Sequence, residues 1–235
     1  MSMILALEGC RDRGATPVDP TTLTDSGDIW PLTPGNDWLY KIDQPTWVQD
    51  TVKMEITGSI LVSFQGENYT AMKMTVHSIT QSRPEFQWLY WNGPDGVYSM
   101  GGISPTDTFI VKELQLKYPV SVGDTWRCQS VAYSSDRGKF YINDTLKYSL
   151  IAKDVSVITP SGTFKCFQYQ FSKRPADDIV AIWDYNFYYT PGIGQIAEES
   201  ISHTDHTTKD KYVLITHQLV VVHTSPIKVN NSHGD

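Results

Sequence analysis

Pro31-Leu-Thr-Pro-Gly35-Asn-Asp-Trp38 recurs as Pro119-Val-Ser-Val-Gly123-Asp-Thr-Trp126, at an offset of 88 residues. The shared pattern is Pro, an aliphatic residue, two further residues, Gly, Asn or Asp, one residue, Trp. Gly permits a positive φ, and a short polar side chain after it can satisfy its own backbone, so each copy reads as a tight turn. The Trp that follows starts a strand and is large enough to plug the end of a barrel or sandwich. An 88-residue spacing is too long for a solenoid repeat and points to a duplicated half-domain.

The correspondence continues in order. Thr51-Val-Lys-Met54 matches Thr145-Leu-Lys-Tyr148, each opening a long strand. Phe64-Gln-Gly-Glu-Asn-Tyr69 matches Thr159-Pro-Ser-Gly-Thr-Phe164 as a Gly-containing turn. Each turn leads into an alternating strand, Tyr69 to Val76 and Phe164 to Phe171. The aromatic strands Phe86-Gln-Trp-Leu-Tyr-Trp91 and Ile182-Trp-Asp-Tyr-Asn-Phe-Tyr-Tyr189 then run into Asn92-Gly-Pro-Asp-Gly96 and Thr190-Pro-Gly-Ile-Gly194. Turn signals at this spacing predict a β-meander. No window carries a sustained helical period with caps. The predicted fold is all-β: an antiparallel curved sheet, half-barrel or sandwich built from two repeated meanders.

The expected organisation is a signal-like segment and tether over 1–28, a first repeat over 29–104, and a second over 105–224 packed with the first as one domain. A loose tail follows over 225–235. Met100-Gly-Gly-Ile-Ser-Pro105 reads as a flexible bridge. Thr106 to Tyr118 reads as a strand leading into Pro119, and Lys211 to His223 as a long final strand that closes the sheet.

Composition fits this picture. Aromatic residues are 12% of the chain, with seven Trp and thirteen Tyr, and such residues suit a pleated, half-buried surface. The net charge of −7 and the absence of any basic run argue against nucleic acid as a partner. No apolar run approaches the ~20 residues of a membrane helix. Leu7-Glu-Gly-Cys10, after a short apolar segment, resembles the end of a bacterial lipoprotein signal, in which the Cys is lipidated. It departs from that pattern at Glu8, where a small apolar residue is usual, and in lacking a charged leading segment. A Pro/Thr/Asp/Ser stretch from Ala15 to Asp28 follows, of the kind that tethers lipid-anchored domains. The expected location is therefore the bacterial cell envelope, outside the cytoplasm, with Cys10 as the lipid anchor. There Cys128 and Cys166 either form a disulfide or remain two buried thiols.

Three phrases carry a resemblance. Trp30-Pro-Leu-Thr-Pro-Gly-Asn-Asp-Trp-Leu-Tyr-Lys41, Gly162-Thr-Phe-Lys-Cys166 and Tyr188-Tyr-Thr-Pro-Gly-Ile-Gly-Gln-Ile-Ala-Glu-Glu199 resemble segments of uncharacterised bacterial envelope lipoproteins. The likeness spans most of residues 30–200 and implies a curved sheet loosely like the lipoprotein-carrier half-barrels. Its motifs are turns and Trp plugs, and they imply no particular chemistry.

Catalytic signals are weak. Ser202-His203-Thr-Asp205-His206 brings His203, Asp205 and His206 close in sequence as potential metal ligands, but without an HExxH-type signature, in a polar stretch that suits an exposed loop. There is no Gly-x-Ser-x-Gly elbow. Glu198-Glu199 are adjacent on a strand and so point in opposite directions; they read as surface or edge charge rather than an acid/base pair. No enzyme activity and no cofactor are expected. Trp47, Trp88, Trp91 and Trp183 are the candidate ligand contacts, whereas Trp38 and Trp126, repeated with their turns, read as core plugs. The expected role is noncatalytic binding of an apolar or lipid-like molecule, or of another envelope protein. The alternative is a carbohydrate-binding module using exposed aromatics.

Overall fold

A computed structural model describes residues 28–43, 50–79, 86–134, 137–173, 183–202 and 208–220. Among the described residues, twelve strands form one antiparallel sheet. The first six are β1 (Asp37–Asp43), β2 (Asp50–Phe64), β3 (Glu67–Ser78), β4 (Gln87–Gly93), β5 (Gly96–Ile103) and β6 (Thr108–Lys117). The second six are β7 (Thr125–Ser134), β8 (Lys139–Thr159), β9 (Gly162–Lys173), β10 (Trp183–Thr190), β11 (Gly194–Ser202) and β12 (Thr208–Gln218). Their order across the sheet is β6-β5-β4-β3-β2-β1-β12-β11-β10-β9-β8-β7. Two six-strand meanders therefore join through β1 and β12, and β6 and β7 are left as the edges.

Three expectations change. Met100 to Ile103 is not a bridge: it lies inside β5, where Met100 is fully buried. Residues 108–117 do not open the second meander but pair with β5 from Gly96↔Lys117 to Ile103↔Thr108, so the first meander runs to Lys117. The last strand does not close the sheet. It pairs with β1 on one side and β11 on the other, setting Tyr212 opposite Ile42 and Leu214 opposite Tyr40, two core residues of β1.

The sheet curls strongly. Side chains rather than backbone ladders span the gap between its edges. Ser104 Oγ and Thr106 Oγ1 each donate to the Gly138 carbonyl at 2.9 Å. Asp107 Oδ2 accepts from the Phe140 N–H at 3.1 Å, and Glu113 Oε2 from the Gln129 N–H at 3.0 Å. Such contacts occupy backbone groups that an exposed edge would present to other chains.

The main core draws from both meanders: Trp30, Trp38, Tyr40, Ile56, Met74, Leu150, Tyr169, Ile196 and Leu214 are all buried. A smaller cluster (Val62, Tyr69, Ala71, Leu89, Met100) occupies the opposite face of the first meander. Period-2 alternation along β4 explains this. Trp88 and Tyr90 face the main core, and Leu89 and Trp91 face the smaller cluster. Both faces of the strand are covered, as its unbroken aromatic run suggests.

Candidate functional site

The two Gly-Trp turns set the register of the interior. Gly35 has φ +91° and donates its N–H to Ile56 O at 2.8 Å, and Ile56 N–H returns a bond to Asn36 O at 2.9 Å. Gly123 has φ +90° and donates to Leu150 O at 2.9 Å, and Leu150 N–H returns a bond to Asp124 O at 3.1 Å. The Trp after each turn then meets the neighbouring strand at one rung, Trp38 opposite Met54 and Trp126 opposite Tyr148. Further rungs follow in step. Met74 stands opposite Trp88, and Tyr169 opposite Phe187. Tyr90 stands opposite Ser99, and Tyr189 opposite Gln195.

Part of these rungs lines a partly open cavity of about 240 Å³. Matching positions of the two meanders line it: Met54 with Tyr148, Trp88 with Phe187, Tyr90 with Tyr189, and Ser99 with Gln195. Gln115 of β6 and Gln129, Ser130 and Val131 of β7 line it from the two edge strands. The volume exceeds the ~150 Å³ apolar cavity known to hold a benzene but falls below the ~300–1,000 Å³ of drug-sized sites.

Trp30 closes one side of the cavity. Its ring meets Trp38, Tyr90 and Tyr189 at centroid distances of 6.0, 5.3 and 5.7 Å. The turn before β11 makes room for it. A Cβ on Gly194 (φ +102°) would lie 2.5 Å from Trp30 Cδ1, so only glycine fits there. The same turn anchors β1: Trp38 Nε1 donates to Ile193 O at 2.7 Å, and Tyr40 OH donates to Gln195 O at 2.9 Å.

Glu198 brings a negative charge to this ring-lined space. Tyr189 OH donates to Gln195 Oε1 at 3.2 Å, and Gln195 Nε2 donates to Glu198 Oε2 at 3.1 Å, so a buried glutamine orients the carboxylate. Burial first, and the Glu198 charge second, push the Tyr40 and Tyr90 hydroxyls well above the ordinary tyrosine range. Tyr148 and Tyr189 are also raised, chiefly by burial, with Glu198 among the smaller contributions. Glu199, one residue on, faces the other way and accepts from Tyr188 OH at 2.7 Å. The opposed directions expected for this pair hold: the half-buried Glu198 lines the cavity, and Glu199 points to the other face.

The candidate aromatics separate. Trp88 lines the cavity. Trp91 lies on the opposite face of β4, with Tyr69 and Tyr98 and the Lys112 ammonium 4.3 Å from the Tyr69 ring centroid and 5.3 Å from that of Trp91. Opposite faces of one strand cannot supply one flat sugar platform. Trp183 falls in β10 at the rung of Lys173 and Ser202. Trp47, Cys10, His203, Asp205 and His206 lie outside the described residues. Among the described residues no three His, Cys, Asp or Glu side chains gather in a metal-binding arrangement, and no helix is long and apolar enough to cross a membrane.

Cys128 and Cys166 are both free and buried, so no disulfide joins them. Cys128 packs with Leu146, Tyr148 and Phe171, whereas Cys166 belongs to the main core and lies 3.4 Å from Thr190 Oγ1. Burial pushes the Cys128 thiol up to about 12 and the Cys166 thiol up to about 11, so both stay protonated and unreactive near neutrality.

Sequence reasoning singled out Trp88 but missed Glu198, Gln195 and Tyr148. The repeat aligns Tyr148 with Met54, but it aligns Gln195 with Val97; Gln195 reaches the level of Ser99 only in the folded sheet, where Tyr90 faces Ser99 and Tyr189 faces Gln195.

No family model matches the chain, and no curated protein matches it. Among solved structures, it is similar to a "putative lipoprotein" from Parabacteroides distasonis ATCC 8503. That match has 11% identity and a TM-score of 0.46 over 82% of this chain and 99% of that one. It is also similar to a "putative exported protein with YmcC-like fold" from Bacteroides fragilis NCTC 9343. There the identity is 12% and the TM-score 0.48, over 82% of this chain and 100% of the other.

Proposed function

We propose that this protein is a noncatalytic binding protein of the bacterial cell envelope, tethered through Cys10, with a small amphipathic ligand held between two copies of one β unit. The observation that carries this reading is the cavity lined by the same rungs of both meanders. The cavity is lined by aromatic side chains with a few convergent polar groups. That is the usual composition of a ligand site. The Gln115, Gln129, Gln195 and Glu198 side chains make part of the lining polar, which disfavours a bare acyl chain. They favour a compact molecule with both an apolar body and a polar group. The anchor rests on Leu7-Glu-Gly-Cys10 and the polar stretch behind it.

Native mass spectrometry of gently purified protein tests the binding role. We expect a stoichiometric small-molecule adduct that Ser99→Phe, which fills the cavity from β5, abolishes while the protein stays folded. Protein free of any adduct, from its own host and at native expression, would defeat the reading. The anchor is tested separately. Cys10→Ala is expected to move the full-length protein from the membrane fraction to the soluble one.

A further inference from the structure

The cavity opens where the second meander departs from the first along one strand. After the repeated turn, β1 carries Trp38, Tyr40 and Ile42 on one face, and all three are buried. Counting from the second tryptophan, the matching residues of β7 are Trp126, Cys128 and Ser130. The registers agree, since Tyr40 faces Val52 as Cys128 faces Leu146, each one step beyond the tryptophan rung. A tyrosine and an isoleucine of the first meander thus correspond to a cysteine and a serine, and Cys128 and Ser130 both line the open space. The register of β7 against β8 also shifts between Gln129 and Val131. An irregularity of this kind re-aims side chains and is common beside functional sites. Here four consecutive residues, Cys128 to Val131, reach the cavity wall, where regular alternation would bring two.

That sector of the wall is neutral and polar. Gln129 and Ser130 of β7, Gln115 of β6 and Ser99 of β5 bring amides and hydroxyls to the side where the two edge strands approach each other. Each of these groups can both donate and accept a hydrogen bond, as an alcohol does. Much of the remaining wall is aromatic, with Trp88 and Tyr90 from β4 and Phe187 and Tyr189 from β10. From this division we infer that the cavity takes one neutral sugar ring, with its C–H face against the aromatic residues and its hydroxyls toward Gln115, Gln129 and Ser130. The inference rests on the proposed binding role and names the class of the ligand. A purely apolar ligand has no use for four hydrogen-bonding side chains in one sector, whereas each hydroxyl of a sugar can bond one of them. The volume of about 240 Å³ exceeds a benzene-sized cavity of ~150 Å³ and stays below a drug-sized site, which suits a single six-membered ring with its substituents. This is a different site from a platform of exposed aromatics, which β4 divides between its two faces.

The test titrates the intact protein with glucose, galactose and N-acetylglucosamine, and with tetrahydropyran-2-methanol as a ring of similar body but a single hydroxyl, by calorimetry and saturation-transfer NMR. At least one sugar is expected to bind in the millimolar range or tighter, and about tenfold or more above the comparator. Ser130→Ile, which restores the residue type of the first meander, should remove sugar binding by filling the space. Gln115→Leu combined with Gln129→Leu probes the same wall at nearly unchanged volume. It should erase the preference for sugar over comparator while the thermal melt stays cooperative. A comparator that binds the unmodified protein as strongly as every sugar overturns the sugar inference and leaves the cavity reading standing. So does a preference that survives the double leucine variant, or sugar binding that persists in folded Ser130→Ile. Binding of none of the three sugars also overturns the inference, and the adduct seen or not seen by native mass spectrometry then decides the binding role separately.

Discussion

The turns before Trp38 and Trp126 share a backbone and differ in almost everything around it. Asn36 is 1% exposed: its Nδ2 donates to Pro31 O at 2.6 Å, and its Oδ1 accepts from Val220 N–H at 2.6 Å. Asp124 sits at the surface. Its Oδ2 accepts from Ser121 N–H at 3.2 Å and lies 3.5 Å from Lys117 Nζ. A buried turn that faces both a carbonyl and an N–H needs a neutral group able to donate and accept, whereas an exposed turn can use a charge. The indoles follow the same division. Trp38 is fully buried and donates to Ile193 O, while Trp126 is half-buried, stacks on Tyr148 at 5.7 Å, and finds no hydrogen-bond partner for Nε1 among the described residues. One local sequence pattern thus makes a central plug in the first meander and a peripheral one in the second. The cause is position in the sheet: β1 has β2 and β12 on its flanks, and β7 is an edge.

Paired substitutions should expose that difference, and the buried turn should be the more sensitive each time. The largest gap is expected between Asn36→Asp and Asp124→Asn. The first sets a carboxylate against Pro31 O with no donor, at a cost of roughly 3 kcal/mol or more. The second trades an exposed charge for an amide and should stay within about 0.5 kcal/mol. Urea denaturation of both variants measures the gap, and similar midpoints would show that the two turns are equally exposed in solution.

A middle-sized effect separates Trp38→Phe from Trp126→Phe. Losing the Trp38 donor strands a buried carbonyl and opens space, together about 2–4 kcal/mol. Replacing Trp126 removes an N–H that has no partner, so the loss should be under about 1 kcal/mol after the smaller ring is allowed for. Thermal melts with matched near-ultraviolet dichroism distinguish these. The smallest contrast lies in Gly35→Ala against Gly123→Ala. Both put a Cβ at a φ near +90° and should cost on the order of 1–2 kcal/mol. Gly35→Ala should cost a few tenths of a kcal/mol more, because its Cβ would also press within 3.0 Å of Val220 Cγ2, while nothing lies near Gly123.

Much of the fold is legible because its signals are local. Alternation in Phe164 to Phe171 reports a strand whatever it packs against, and Gly-Asn or Gly-Asp before Trp reports a turn. In the sheet Met54 stands opposite Trp38 and Tyr148 opposite Trp126. Glycine misleads at Met100-Gly-Gly-Ile103. Paired glycines look like a bridge in one dimension, yet Phe109 O and the Phe140 ring crowd these positions too closely for any side chain. The cavity was less legible still. Its lining comes from strands far apart in sequence, and Glu198 cannot be told from a surface glutamate until β11 has a defined inner face.

By itself the chain specified an all-β architecture, two matched turns with their tryptophans, a pattern of meanders and an acidic, aromatic-rich composition. Those features follow from backbone preferences and from side-chain period, which act over a few residues. Only the tertiary structure decided that β1 meets β12, that β6 and β7 become the edges, that the two cysteines stay apart, and that one carboxylate lies among rings. These outcomes depend on how two curled half-sheets bury their faces against each other, and that contact joins residues more than a hundred positions apart, such as Trp38 and Ile193.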